Sequence, residues 1–216
     1  AQYPTSASDL PAVIVIGDSV SIGYTPFVAA SMNESGTAFV QHSPWGGGGG
    51  ADDVGNGVRC EEWLLRTSTF DAQSWRLISF NFGLHNLDNS STAEATYAQL
   101  LANFTTRLLA EETKVMFVTT TPYMPARWFG DMVVEQLNAL AVAIMAKAAV
   151  PVADLYSHVT AYCGAVYMNC SICDDGACAG TVVATTAAAV CPNCVLRTSP
   201  HRVQQLDGSH VWLPLH

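Results

Sequence analysis

The chain has 216 residues and a mass of 23.0 kDa, enough for one well-filled core, and no linker or internal repeat divides it. Half of the residues are hydrophobic, yet the longest apolar stretch, Met132 to Val150, carries Glu135, Gln136, Asn138 and Lys147; that pattern is an amphipathic helix, not a membrane span. A formal net charge of −9, with only two lysines, argues against nucleic acid or an anionic membrane surface as a partner.

Val13-Ile14-Val15-Ile16 is a β-branched run that reads as a buried parallel strand. It stops at Gly17-Asp18-Ser19, and small residues then open a helix or helical turn over Ser21 to Ser31 that Pro26 interrupts. Ala38 to His42 is a second short strand. Ser43-Pro44-Trp45 leads from it into five glycines, Gly46 to Gly50, which suit neither a helix nor a strand interior. The run is either a surface loop or a backbone that approaches a ligand closely and offers it an N–H. Arg59 to Arg66 reads as a short helix and Leu77 to Gly83 as a strand buried on both faces, followed by Leu84-His85-Asn86-Leu87. Glu94 to Glu112 is an amphipathic helix with the apolar stripe Tyr97, Leu100, Leu101, Phe104 and Leu108. Lys114 to Thr121 is a strand closed by Pro122, Asp131 to Ala149 a helix with Asp131 as its N-cap, and Val152 to Tyr156 a last short strand.

Strands that alternate with helices predict a parallel sheet covered on both faces. The expected fold is a flavodoxin-like three-layer α/β/α sandwich, a single domain over residues 1–216. A cysteine-rich excursion over 163–194 lies between the last strand and the C-terminal motif.

Six of the seven cysteines, Cys163, Cys170, Cys173, Cys178, Cys191 and Cys194, fall in that excursion. Cys170-x-x-Cys173 and Cys191-x-x-Cys194, 17 residues apart, match the spacing of a four-cysteine zinc ribbon; the rival reading is a disulfide-stapled insertion. Four Asn-x-Ser/Thr sequons, at Asn33, Asn89, Asn103 and Asn169, favour disulfides in a secreted glycoprotein with no metal. Asn103 falls on the polar face of its helix. Ala1-Gln2-Tyr3-Pro4 is compatible with the fresh end left by removal of a signal peptide. Cys60, the odd one, is either a buried thiol or the partner of one of the six.

The chemistry is concentrated at the two ends. Ser19 stands at the carboxyl end of a strand, where open α/β sheets bind ligands, and near a helix N-terminus, whose free N–H groups suit a developing oxyanion. A serine hydroxyl needs a base, and the base needs an orienting partner; Asp207-Gly208-Ser209-His210 supplies a carboxylate and an imidazole three residues apart. Gly17-Asp18-Ser19, the glycine-rich segment, the Gly83-x-x-Asn86 element and Asp207-x-x-His210, in that order, resemble the SGNH (GDSL) hydrolases over nearly the whole chain, Ile14 to His210. The resemblance implies Ser19 as nucleophile, His210 as base and Asp207 as its orienter, with Asp18 holding the turn. No cofactor is implied.

The sequence departs from the family in its third block. The usual Gly-x-Asn-Asp, whose asparagine donates to the oxyanion, is here Gly83-Leu84-His85-Asn86. Either His85 donates from a ring N–H or Asn86 replaces it; the Gly-Leu-His-x-Leu form resembles a branch of the family that favours His85. The other donors implied are the backbone N–H of Ser19 and one from the glycine run, at Gly46 or Gly47. A second departure is the end of the chain: only Val211 to His216 follow the histidine, where a sheet-covering helix is usual. Either the chain has been trimmed, or the N-terminal arm or the cysteine-rich excursion covers that face. Trp45, Tyr123, Trp128 and Phe129 are candidates for a sugar- or acyl-binding wall, and Arg127 and Arg59 for an anionic substrate group.

The activity these readings imply is that of a secreted serine esterase that removes a small acyl group, such as acetyl, from a carbohydrate. Within the same chemistry the alternative is a lipase or lysophospholipase. Outside it stand a non-hydrolytic carbohydrate-binding protein and a polysaccharide lyase with His85 or His210 as base. The oligomeric state is not legible in the sequence.

Overall fold

The computed structural model describes residues 10–44, 50–66, 74–87, 91–122 and 131–163, and the backbone of three short strands in 196–211. Strands β1 (Ala12–Ile16), β2 (Phe39–His42), β3 (Leu77–Phe80), β4 (Lys114–Val118) and β5 (Val152–Ala153) form a parallel sheet in the order β2-β1-β3-β4-β5. This is the flavodoxin-like order, with its switch point between β1 and β3.

Alternation along β1 divides the core between the two faces. Val13 and Val15 meet helix α1 (Ser19–Glu34) through Tyr24, Val28 and Ala29. Ile14 and Ile16 face the larger core built with helices α2 (Val54–Leu64), α3 (Ser91–Ala110) and α4 (Asp131–Lys147). Phe80, Phe82, Phe104 and Phe117 form its centre, with edge-on and tilted ring pairs 5.1 to 5.7 Å apart. The α3 stripe is buried as its spacing predicts, at Tyr97, Leu101, Phe104 and Leu108. Among the described residues no helix is long and apolar enough to cross a membrane.

Several boundaries differ from the sequence reading. Helix α1 continues through Pro26 to Glu34, because Ser21, Ile22, Thr25 and Ala29 pack onto the sheet and offset the lost backbone bond. Helix α2 starts at Val54, five residues before the expected Arg59. Gly55 and Gly57 obscured that turn, but Asp53 caps it by accepting from Asn56 N–H at 2.9 Å. Gly57 is set directly against the Phe82 ring, where a Cβ would collide. Strand β4 ends at Val118, and the last strand is cut to Val152–Ala153. There Asp154 Oδ1 accepts from Ser157 N–H at 3.0 Å and starts a helix, α5 (Leu155–Cys163). Beyond it stands a three-stranded antiparallel sheet that the sequence did not suggest: β6 (Leu196–Ser199), β7 (Arg202–Gln204) and β8 (His210–Val211). The excursion over 164–195 lies outside the described residues.

One polar residue of the amphipathic helix is also placed differently. Asn138 is buried, not on the solvent face; its Oδ1 accepts from Thr120 N–H at 2.8 Å and its Nδ2 donates to Thr120 C=O at 2.9 Å. It thereby closes the backbone pairing that the sheet abandons after β4.

Candidate active site

Strand β1 delivers the chain to Gly17, and Asp18 caps α1. The Asp18 carboxylate accepts from Val20 N–H at 2.9 Å, and its carbonyl accepts from Ile22 N–H at 3.1 Å. Ser19 is thus the first residue of α1, half-buried, at the positive end of a 16-residue helix. Neither its hydroxyl nor its N–H bonds to another described residue. Asp18 is 3 % exposed, and burial raises its carboxyl pKa, against the Val20 amide and the charge of nearby His85. A carboxylate so occupied holds the turn and is not free to act as a base.

The end of the glycine run presses on this turn. Gly50 has φ +70°, and a Cβ there would lie 2.9 Å from Asp18 Cα and collide with the Gly17 carbonyl. Ala51 N–H donates to that same carbonyl at 2.8 Å. The close approach seen is that of Gly50 to the protein's own Ser19 turn; Gly46 and Gly47, the candidate donors to a ligand, lie outside the described residues.

After β3 the chain makes one 3-10 turn, Leu84–Asn86, closed by Asn86 N–H to Gly83 C=O at 2.8 Å. Gly83 backs onto Thr120 so closely that a Cβ would overlap its side chain. Asn81, buried, donates to Val118 C=O at 2.7 Å and to Thr120 Oγ1 at 3.0 Å, which ties the ends of β3 and β4. The turn leaves His85 exposed and close enough to Asp18 to act on its ionisation. Asn86 points the other way: its Oδ1 accepts from Val54 N–H at 3.1 Å, at the start of α2, and its Nδ2 is buried without a partner among the described residues. Its amide is engaged in holding two loops together, while the His85 ring is open to solvent.

The structure thus brings together Ser19, Asp18, Gly50 and His85 at the carboxyl end of the sheet. Asp207 lies outside the described residues, and His210 is described only as backbone, opening β8 opposite Gln204. Trp45, Tyr123, Arg127, Trp128 and Phe129 also lie outside; Arg59 is exposed on α2. Of the sequons, Asn33 and Asn103 are exposed on α1 and α3, and Asn89 and Asn169 are not described. Cys60 is a half-buried thiol 3.5 Å from Asn56 Oδ1 and pairs with no described residue. Cys163 closes α5 as backbone, and the five cysteines after it lie outside. Among the described residues no cluster of His, Cys, Asp and Glu could hold a metal.

The sequence reading missed a buried serine–histidine contact, Ser21 Oγ to His42 Nε2 at 2.7 Å. No periodicity or spacing links two residues 21 positions apart, and only the β1–β2 register, which sets Val15 opposite His42, reveals it.

No family model matches the chain, and no curated protein matches it. Solved structures do. A lipase/acylhydrolase from Enterococcus faecalis is 18 % identical, covers 77 % of this chain and 86 % of its own, and superposes with a TM-score of 0.56. The acetyl xylan esterase AlAXEase is 14 % identical over 70 % of this chain and 81 % of its own, with a TM-score of 0.55. AlinE4, an SGNH-hydrolase family esterase, gives 14 %, 72 %, 82 % and 0.54 in the same terms. With Gly17-Asp18-Ser19 at the end of β1 in a β2-β1-β3-β4-β5 sheet, the chain has the SGNH (GDSL) hydrolase fold.

Proposed function

We propose that the protein is a serine ester hydrolase. The observation that carries this is the placement of Ser19 as the first residue of α1, with an N–H that no other described residue takes, the Gly50 backbone against its turn and His85 near the adjacent Asp18. Ser19 Oγ attacks the ester carbonyl while His210, oriented by Asp207, takes the hydroxyl proton. The negative charge on the former carbonyl oxygen is met by the Ser19 N–H, an N–H of the glycine run and the His85 ring. Collapse expels the alcohol, which receives the proton from His210, and leaves an acyl-Ser19 ester. Water then attacks that ester with His210 again as base, and the acid departs as His210 returns the proton to Ser19 Oγ.

The substrate we favour is a small acyl ester, such as acetyl, on a carbohydrate. Likeness in fold to an acetyl xylan esterase supports it, as do the sequons and clustered cysteines expected of a secreted protein that meets polysaccharide. The lipase-type reading differs only in the length of the acyl chain. Purified protein should release acetate from acetylated xylan and cleave p-nitrophenyl acetate faster than the octanoate, and Ser19→Ala should abolish both. A preference for the octanoate would select the lipase reading. Secretion and disulfides in 163–194 are tested by the intact mass under non-reducing conditions, about 2 Da lower per bridge.

A further inference from the structure

Beneath the Ser19 turn lies the second serine–histidine pair, which the proposed reaction leaves unused. Ser21, early in α1, and His42, the last residue of β2, are 2 % and 5 % exposed. Ser21 Oγ lies 2.7 Å from His42 Nε2, and it donates to the Asp18 carbonyl oxygen at 2.7 Å. On the far side of the ring, Nδ1 is 2.8 Å from the Ser43 carbonyl. The arrangement needs Gly17, since a Cβ there would lie 2.6 Å from Ser21 Oγ. Burial rules out Ser21 as a nucleophile, because an ester cannot reach it.

What the pair does follows from the atom it holds. The Asp18 carbonyl and the Ser19 N–H belong to one planar peptide. A group that fixes the carbonyl oxygen therefore fixes the direction of the amide that faces the substrate oxyanion. Two donors do so, Ile22 N–H at 3.1 Å within α1 and Ser21 Oγ from the side of β2. A hydrogen bond to that oxygen also polarises the peptide and makes its N–H the stronger donor.

We propose that Ser21 and His42 are positioning residues that aim and polarise the Ser19 N–H through the Asp18 carbonyl. This rests on the esterase reading above. Three contacts compete for the two protons of a neutral pair: Ser21 Oγ with the Asp18 carbonyl, Ser21 Oγ with Nε2, and Nδ1 with the Ser43 carbonyl. The proposal requires the Nε2–H tautomer, with Ser21 donating to Asp18, which leaves a bare Nδ1 2.8 Å from the Ser43 carbonyl oxygen. The other neutral tautomer satisfies the Ser43 carbonyl but accepts the Ser21 proton, and leaves the Asp18 oxygen to Ile22 alone.

The test is steady-state kinetics with p-nitrophenyl acetate on Ser19→Ala, Ser21→Ala, His42→Met and His42→Gln. Rates are counted per Ser19 labelled to completion by a fluorophosphonate, so that unfolded protein drops out; Ser19→Ala is counted per molecule. Ser21→Ala and His42→Met should lower kcat about 10- to 100-fold with KM within about twofold, because only the transition state draws on the amide. His42→Gln, whose NH2 can stand where Nε2–H stood, should return to within about threefold of the wild type. Wild-type kcat in Ser21→Ala, or His42→Gln as slow as His42→Met, would overturn the proposal. Turnover that persists in Ser19→Ala would overturn the esterase reading instead, whatever the Ser21 variant does.

Discussion

In the proposed reaction His85 donates to the oxyanion and the adjacent Asn86 supports the loop. The Asn86 amide is held by Val54 N–H and its Nδ2 is buried, whereas His85 is exposed beside the Asp18 turn. His85→Ala should therefore lower kcat by about 10²- to 10³-fold with little change in KM, the signature of a donor used only in the transition state. Asn86→Ala should leave kcat nearly intact but cost about 1 kcal/mol of stability, through the lost bond to the first turn of α2. The reverse pattern, measured by kinetics and urea unfolding, would exchange the two roles. The positions of Ser19 and His85 at the carboxyl end of the sheet were legible in the sequence, because motif order singles them out from residues of the same type. The Ser21–His42 pair was not, since each residue alone is ordinary and only strand register joins them. The part played by Asn86 stood as an alternative, and only the structure shows that its Oδ1 is taken by Val54 N–H.

At the scale of elements, the sheet could be read strand by strand, because runs such as Val13–Ile16 and Val115–Val118 are apolar on both faces. Helix limits could not. Pro26 and the two glycines of α2 carry unfavourable local propensities that packing overrides, and the gain is visible only once Thr25, Ala29 and Phe82 are in place. The β6–β8 sheet has no such apolar runs to announce it. Asn138 shows how polar residues complete the frame: it replaces, for Thr120, the partners that a longer β4 would have supplied. Asn138→Leu removes both hydrogen bonds and leaves two buried backbone groups unpaired, so it should destabilise the fold by about 2–4 kcal/mol. Urea unfolding of that variant checks it; a loss well under 1 kcal/mol would show that β4 and α4 do not depend on the amide.

For the molecule as a whole, the same buried histidine sets a response to acid. Burial lowers the His42 pKa from 6.5 to about 4, with the Ser43 carbonyl opposing. The folded protein thus binds this proton less readily than the unfolded chain does. Its contribution to stability is intact above pH 6.5, declines as the pH falls towards 4, and changes no further below. The loss is about 3 kcal/mol in all. Asp18, with its pKa raised by burial, runs the other way: its carboxyl is the more readily protonated in the fold. Comparing wild type with His42→Gln isolates the histidine, and the variant should lose less stability between pH 6.5 and 4; parallel profiles would refute the assignment. The central claim, that Ser19 is the nucleophile of an acyl-enzyme, is tested most directly by incubating the folded protein with a fluorophosphonate and mapping the adduct by mass spectrometry. The account predicts one adduct per chain, on Ser19, with ester turnover lost in step. Full modification at a different residue, or undiminished turnover by fully labelled protein, would contradict it.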